Sequence, residues 1–221
     1  PCGVRGHLRR LSQTVHRDLL YLAQSVPQEG GGRVVLRLAV PVREVAHGFS
    51  RFRRDFLAMA AERAPDLERG CFLLSRFGYP GTDLAPYRAW LDRVAATAAN
   101  EIPEDAGTGE AAKRLAAHLF QSLGFSGNES KYYDPDNSYL GRVIDTRRGI
   151  PVSLSALYLL LAKRLRLAVY GIGTPGHFLL GYRVNGEQCV VDSFKIGMPL
   201  DLSEVGRMLV RNGYELRHEY L

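Results

Sequence analysis

The chain holds 221 residues, 46% hydrophobic, 24% charged and 10% aromatic, which is enough apolar material for a packed core and excludes a disordered tail. Lys and Arg number 29 against 23 Asp and Glu, a formal net charge of +6 at pH 7, but cations and acids are interleaved, so charge argues for no specific nucleic-acid partner. The longest strongly apolar run, Val152 to Ala162, stops at Lys163 and Arg164, short of the ~20 residues that cross a bilayer, and no membrane partner is expected.

After a basic start and the Gln28–Gly32 loop, the spacing of Val45, Phe49, Phe52, Phe56 and Met59 predicts a helix over 42–63. Its other face carries Arg43, Arg51, Arg54 and Glu62, read as a solvated face in preference to an anion surface. Thr82 and Asp83 offer N-caps for a further helix with Pro86 in its first turn and Tyr87, Trp90, Leu91 and Val94 on one stripe. A Pro- and Gly-rich connection over 102–109 leads to a helix over 110–123, ended by Gly124.

From Asn128 the character changes. Asn128 to Ser138 reads as a polar loop capping a short helix with Leu140, Val143 and Ile144, stopped by Gly149. Pro151 suits the first position of the next helix, because an N–H missing there costs nothing. Leu154, Leu157, Tyr158 and Leu161 keep the helical period while Leu159, Leu160 and Ala162 fill the remaining circumference, which predicts a helix buried on all sides. Strands follow at 167–172, 178–184 and 188–192. The expected fold class is α+β: a helical N-terminal region over 1–127 packed as one unit on a core over 128–221, made of the buried helix and an antiparallel sheet.

Asn185-Gly186 between the last two strands is a strong signal for a two-residue hairpin, since a type I′ turn needs positive φ at both positions. Val184 then pairs with Glu187, and counting back sets Leu179 opposite Asp192 and His177 opposite Phe194. His177 and Asp192 become diagonal neighbours on one face, within reach of a hydrogen bond. A carboxylate accepting one ring N–H fixes the tautomer and supports the imidazolium formed when the other nitrogen takes a proton. The structural alternative is a histidine that only satisfies a buried carboxylate.

Four runs then stand in order: Tyr132-Tyr-Asp-Pro-Asp-Asn-Ser-Tyr-Leu140, Arg148-Gly-Ile-Pro-Val-Ser-Leu-Ser-Ala-Leu-Tyr158, Gly173-Thr-Pro-Gly-His-Phe-Leu179 and Val191-Asp-Ser-Phe194. On these the chain resembles the bacterial SirB-one N-terminal-domain family, a branch of the transglutaminase-like, papain-related superfamily. The resemblance implies that His177 and Asp192 match two members of a Cys-His-Asp set. The nucleophile departs from the pattern: where Gly-x-Cys opens the buried helix in the superfamily, this chain has Gly149-Ile150-Pro151, as the branch does.

Two functional readings follow. In the first, the domain has lost thiol catalysis and binds a peptide or protein in a groove near His177, Asp192 and the loop residues Tyr133, Asp134, Asn137 and Ser138, beside Pro151. In the second, Ser153, or a water activated by His177, attacks an amide or ester. Ser153 lies two residues, some ~200° of azimuth, beyond Pro151, and a capping role is its structural alternative. No cofactor is expected, since neither a Gly-rich phosphate loop nor an HExxH or CxxC pattern occurs, and no metal site is read. Cys2, Cys71 and Cys189 form no disulfide framework, which points to a reducing, cytoplasmic setting.

Overall fold

The computed structural model describes residues 42–211, 213 and 214; the Gln28–Gly32 loop and Cys2 lie outside them. The described residues from Arg43 on make one compact unit. Among the described residues four helices come first: α1 (Val42–Ala60), α2 (Leu67–Gly78), α3 (Ala85–Glu101) and α4 (Thr108–Ala116). Asp66 caps α2 by accepting the Arg69 N–H at 2.8 Å, and Asp83 accepts the Ala85 N–H at the start of α3. Beyond Ala116 the expected α-helix to Leu123 loosens into π-helical turns over Ala117–Ser122. There the buried His118 meets Glu101 at 2.8 Å, and Gly124, at φ +74, ends the run.

α5 (Leu140–Thr146) stops at Arg147, not at Gly149. Arg147 takes the left-handed conformation (φ 58) and returns its N–H to Val143 O at 2.8 Å, so a side chain other than glycine closes the helix. Gly149 instead belongs to a two-residue strand, β2 (Arg148–Gly149), parallel to β1 (Ser126–Gly127), a pairing too short to leave a periodic trace in the sequence.

α6 (Pro151–Arg164) is the centre of the molecule, with nine of its 14 residues buried. Leu154, Leu157 and Leu161 are fully enclosed, each contributing about 1.5–3 kcal/mol by leaving water. Its last turn is pinned at the surface: Arg164 bonds Glu68 of α2 at 2.8 Å and Asp92 of α3 at 2.7 Å.

The sheet that follows has the order β3 (Tyr170–Thr174), β4 (His177–Val184), β5 (Glu187–Asp192), β6 (Met198–Leu200), all antiparallel. β3 starts three residues later than expected because Arg166 (φ 57) and the Leu167 N–H to Ala162 O bond spend the intervening chain on closing α6. Leu180, Tyr182 and Val191 join the core around α6. Ile172, Leu179 and Val190 pack on Val205, Met208 and Leu209 of a last helix, α7 (Leu202–Arg211). β6 and α7 were not anticipated from the sequence. No helix among the described residues is long and apolar enough to cross a membrane.

Candidate functional site

The hairpin has the register that a two-residue Asn185-Gly186 turn dictates: Val184 opposite Glu187 and Leu180 opposite Val191, with both turn residues at positive φ. At the open end of these strands His177 Nε2 lies 3.0 Å from Asp192 Oδ2. The carboxylate is 2% exposed, and its second oxygen accepts the Phe194 N–H at 2.9 Å, so both oxygens are committed and the group is held in one orientation. On the other side, the Thr174 hydroxyl donates to the His177 carbonyl at 3.0 Å, fixing the start of β4. Nδ1 of His177 has no hydrogen-bond partner among the described residues, and none of their buried side-chain nitrogens is left unpaired; this nitrogen therefore reaches solvent. Chemically the arrangement is an oriented imidazole with one face anchored and one open to accept a proton.

The polar loop before α5 stands beside this pair. Asn137 is 3% exposed and organises the loop: its amide donates to Lys131 O at 2.6 Å and Tyr132 O at 3.1 Å, while its oxygen accepts from Asn128 at 2.9 Å. Asp134 caps a 3₁₀ turn over Pro135–Ser138 by accepting the Asp136 N–H. Ser138 is exposed. Asp136 anchors the turn from behind, accepting the Tyr79 hydroxyl and Arg142 Nε. The Tyr79 hydrogen bond, with Arg142 adding to it, holds the Asp136 carboxyl below the usual range, and the same bond pushes the Tyr79 phenol up.

The loop so fixed presents a stair of rings. Tyr133, 80% exposed, meets Tyr132 edge-on at 5.3 Å; Tyr132 meets Phe194 at 5.8 Å; Phe194 meets the His177 ring at 6.4 Å. Partial burial raises the Tyr132 phenol. Phe194 packs closely against Gly127, where a Cβ would fall 2.5 Å from the ring, so the glycine is required by a close approach and not by a turn. Of these residues Phe194 was reachable from the hairpin count, which sets it opposite His177. Gly127 carried no signal, because its partner is 67 positions away.

At the tip of α6 the hydroxyls are turned inward. Pro151 is buried at the first helical position. Ser153 Oγ accepts the Ile150 N–H at 3.0 Å and donates to Ile150 O at 3.1 Å, a cap closed on its own backbone. It makes no hydrogen bond to His177. Ser155 and Ser193 share a buried hydrogen bond of 2.7 Å, and Ser193 also reaches Pro151 O at 3.3 Å. Of the site residues named from sequence, the structure thus joins His177 to Asp192 and gathers Asp134 and Asn137 into one bonded loop, whereas Ser153 stands apart. Neither described cysteine bonds the imidazole: Cys71 is packed against the core with its thiol pushed up by burial to about 12, and Cys189 sits opposite Tyr182, further along the hairpin.

The model of the transglutaminase-like superfamily matches residues 85–221, more than half of the chain. The chain belongs to that superfamily. It is similar to a UPF0162 protein of Xylella fastidiosa, 34% identical over 149 residues, 67% of this chain and 53% of that protein. A UPF0162 protein of Pasteurella multocida is 28% identical over 144 residues, 65% of this chain and 52% of that protein. Human F-box only protein 21 is 38% identical over 76 residues, 34% of this chain and 12% of that protein. The chain spans about half the length of the UPF0162 relatives. No solved structure matches.

Proposed function

We propose that this transglutaminase-like domain acts by binding a peptide or protein segment at the His177, Asp192 and Tyr132-to-Ser138 surface, without covalent thiol or serine chemistry. The observation that carries this reading is the closed tip of α6: proline at its first position and a Ser153 hydroxyl spent as donor and acceptor on Ile150. Nucleophilic catalysis needs the attacking group within hydrogen-bond reach of its base, and the one side chain bonded to His177 among the described residues is Asp192. The ring stair supports the binding role, since aromatic rings on a loop already fixed by hydrogen bonds lose little entropy on contact. The four motif runs further support membership of the SirB-one branch, and the sparse unpaired cysteines support a cytoplasmic setting.

One observation favours a second reading, hydrolysis by a water that His177 activates: the open Nδ1 opposite an anchored Nε2. The test has two arms. A displayed library of short peptides is panned on the protein, and enriched peptides are expected to lose at least ~10-fold in affinity for Tyr133→Ala and His177→Ala. In parallel the parent, Ser153→Ala and His177→Ala are treated with a serine-directed acylating probe and with p-nitrophenyl esters. Acylation of the parent that vanishes in Ser153→Ala overturns the non-covalent reading. Ester turnover lost in His177→Ala with no acyl-enzyme moves the assignment to the water mechanism. A library without any enriched peptide overturns the binding role.

A further inference from the structure

A second concavity lies away from His177, between the first turns of α4 and the β4–β5 hairpin. His177 and Tyr182 are five residues apart, roughly 17 Å along an extended strand, and Tyr182 belongs to the face that packs around α6. The groove holds about 480 Å³ and is lined by Gly109, Glu110, Lys113, Tyr182, Glu187 and Cys189, among others, a volume at the smaller end of ligand sites. Tyr182 is 4% exposed, yet its hydroxyl has no hydrogen-bond partner among the described residues, and none of their fully buried side-chain oxygens lacks one. The phenol oxygen therefore reaches solvent, and Tyr182 lines this groove, so the hydroxyl is free of protein partners there and can donate to a ligand. α4 adds to it: Gly107 at the N-cap brings no side-chain oxygen, and the first-turn N–H groups of Thr108, Gly109 and Glu110 have no acceptor among the described residues. A Cβ on Gly109 would lie 2.8 Å from Val184, so the helix tip is pressed directly onto the hairpin.

The lining carries both signs. Lys113 and the helix N-terminus are positive, Glu110 and Glu187 negative, with Glu110 already matched by Arg114 at 2.7 Å. A plain anion meets Glu187, which has no partner among the described residues, and a plain cation meets Lys113 and the positive end of α4. We infer that the groove is a binding site for a small zwitterion of the α-amino-acid type with an apolar side chain. The carboxylate sits at the α4 amides, Lys113 and the Tyr182 hydroxyl, the ammonium at Glu187, and the side chain over Val184 and Cys189.

Cys189 makes the site readable. In the full chain with Cys2→Ser, iodoacetamide at about pH 7.5 reacts at Cys189, because burial keeps the Cys71 thiol protonated. Leucine at millimolar concentration is expected to slow that alkylation at least ~5-fold, whereas N-acetyl-leucine and leucine amide, each missing one charge, leave it unchanged. Tyr182→Phe, which keeps the ring, is expected to weaken protection ~5- to 10-fold, and Glu187→Gln by a similar factor. Absence of protection by leucine, equal protection by either blocked analogue, or full protection in Tyr182→Phe overturns the assignment.

Discussion

The tip of α6 and the adjoining end of the β4–β5 hairpin treat their polar groups in opposite ways. At the tip, Ser153 and Ser155 find protein partners at 2.7–3.1 Å, Ser155 through Ser193 just past β5, and a proline occupies the first helical position. At the hairpin end, Asp192 is fully committed while His177 keeps one ring nitrogen without a protein partner among the described residues. The contrast teaches that an oriented acid–base pair and a nucleophile are separable pieces of a fold: each is set by its own local hydrogen bonds, so one can be closed off while the other stays open.

The largest effect expected on that contrast comes from the loop that borders both regions. Asn137→Ala strands the Lys131 and Tyr132 carbonyls and the Asn128 amide, which should cost about 2–4 kcal/mol in chemical denaturation and abolish peptide binding. A loss below about 1 kcal/mol would mean that water replaces the asparagine. Gly127→Ala drives a methyl into the Phe194 ring and is expected to cost about 1–3 kcal/mol. Its diagnostic signature is a displaced His177 ring resonance in NMR, which a purely local repacking leaves in place.

Smaller effects separate cap from catalyst. Ser153→Ala removes a cap and should lower stability by about 1 kcal/mol without altering affinity for any enriched peptide; a fall in affinity or in ester turnover with unchanged stability contradicts the division drawn between the two regions. The smallest is a pH effect. The Asp136 carboxyl is held below its ordinary value of 3.8 by the Tyr79 hydrogen bond and by Arg142. Its contribution is therefore complete above the unfolded value and disappears as pH falls through the lowered folded one. As pH falls below about 4 amide exchange in the Asp134–Ser138 turn should accelerate in the parent, and Asp136→Asn should remove that pH dependence.

Much of the fold was legible because it rests on local rules. The period of α6 showed its burial, and Asn185-Gly186 fixed a register that needs no tertiary information beyond the turn itself. The β1–β2 pair and β6 were not legible, being two or three residues long, whereas α7 was legible and passed over: Val205, Met208 and Leu209 share one face behind the Asp201 cap. At the site, the same register brings His177 and Asp192 into contact range, while the inward turn of Ser153 depends on how the chain enters α6.

Sequence alone determined which residues share a face of the hairpin and that no thiol opens α6, since strand parity and the identity of residue 151 are properties of the chain itself. Tertiary structure decided which ring nitrogen is anchored, that Phe194 and Tyr132 stand between His177 and the exposed Tyr133, and that Tyr182 lines a groove. Those outcomes depend on side chains from separate elements meeting at distances of a few ångströms, a relation that spacing along the chain does not encode.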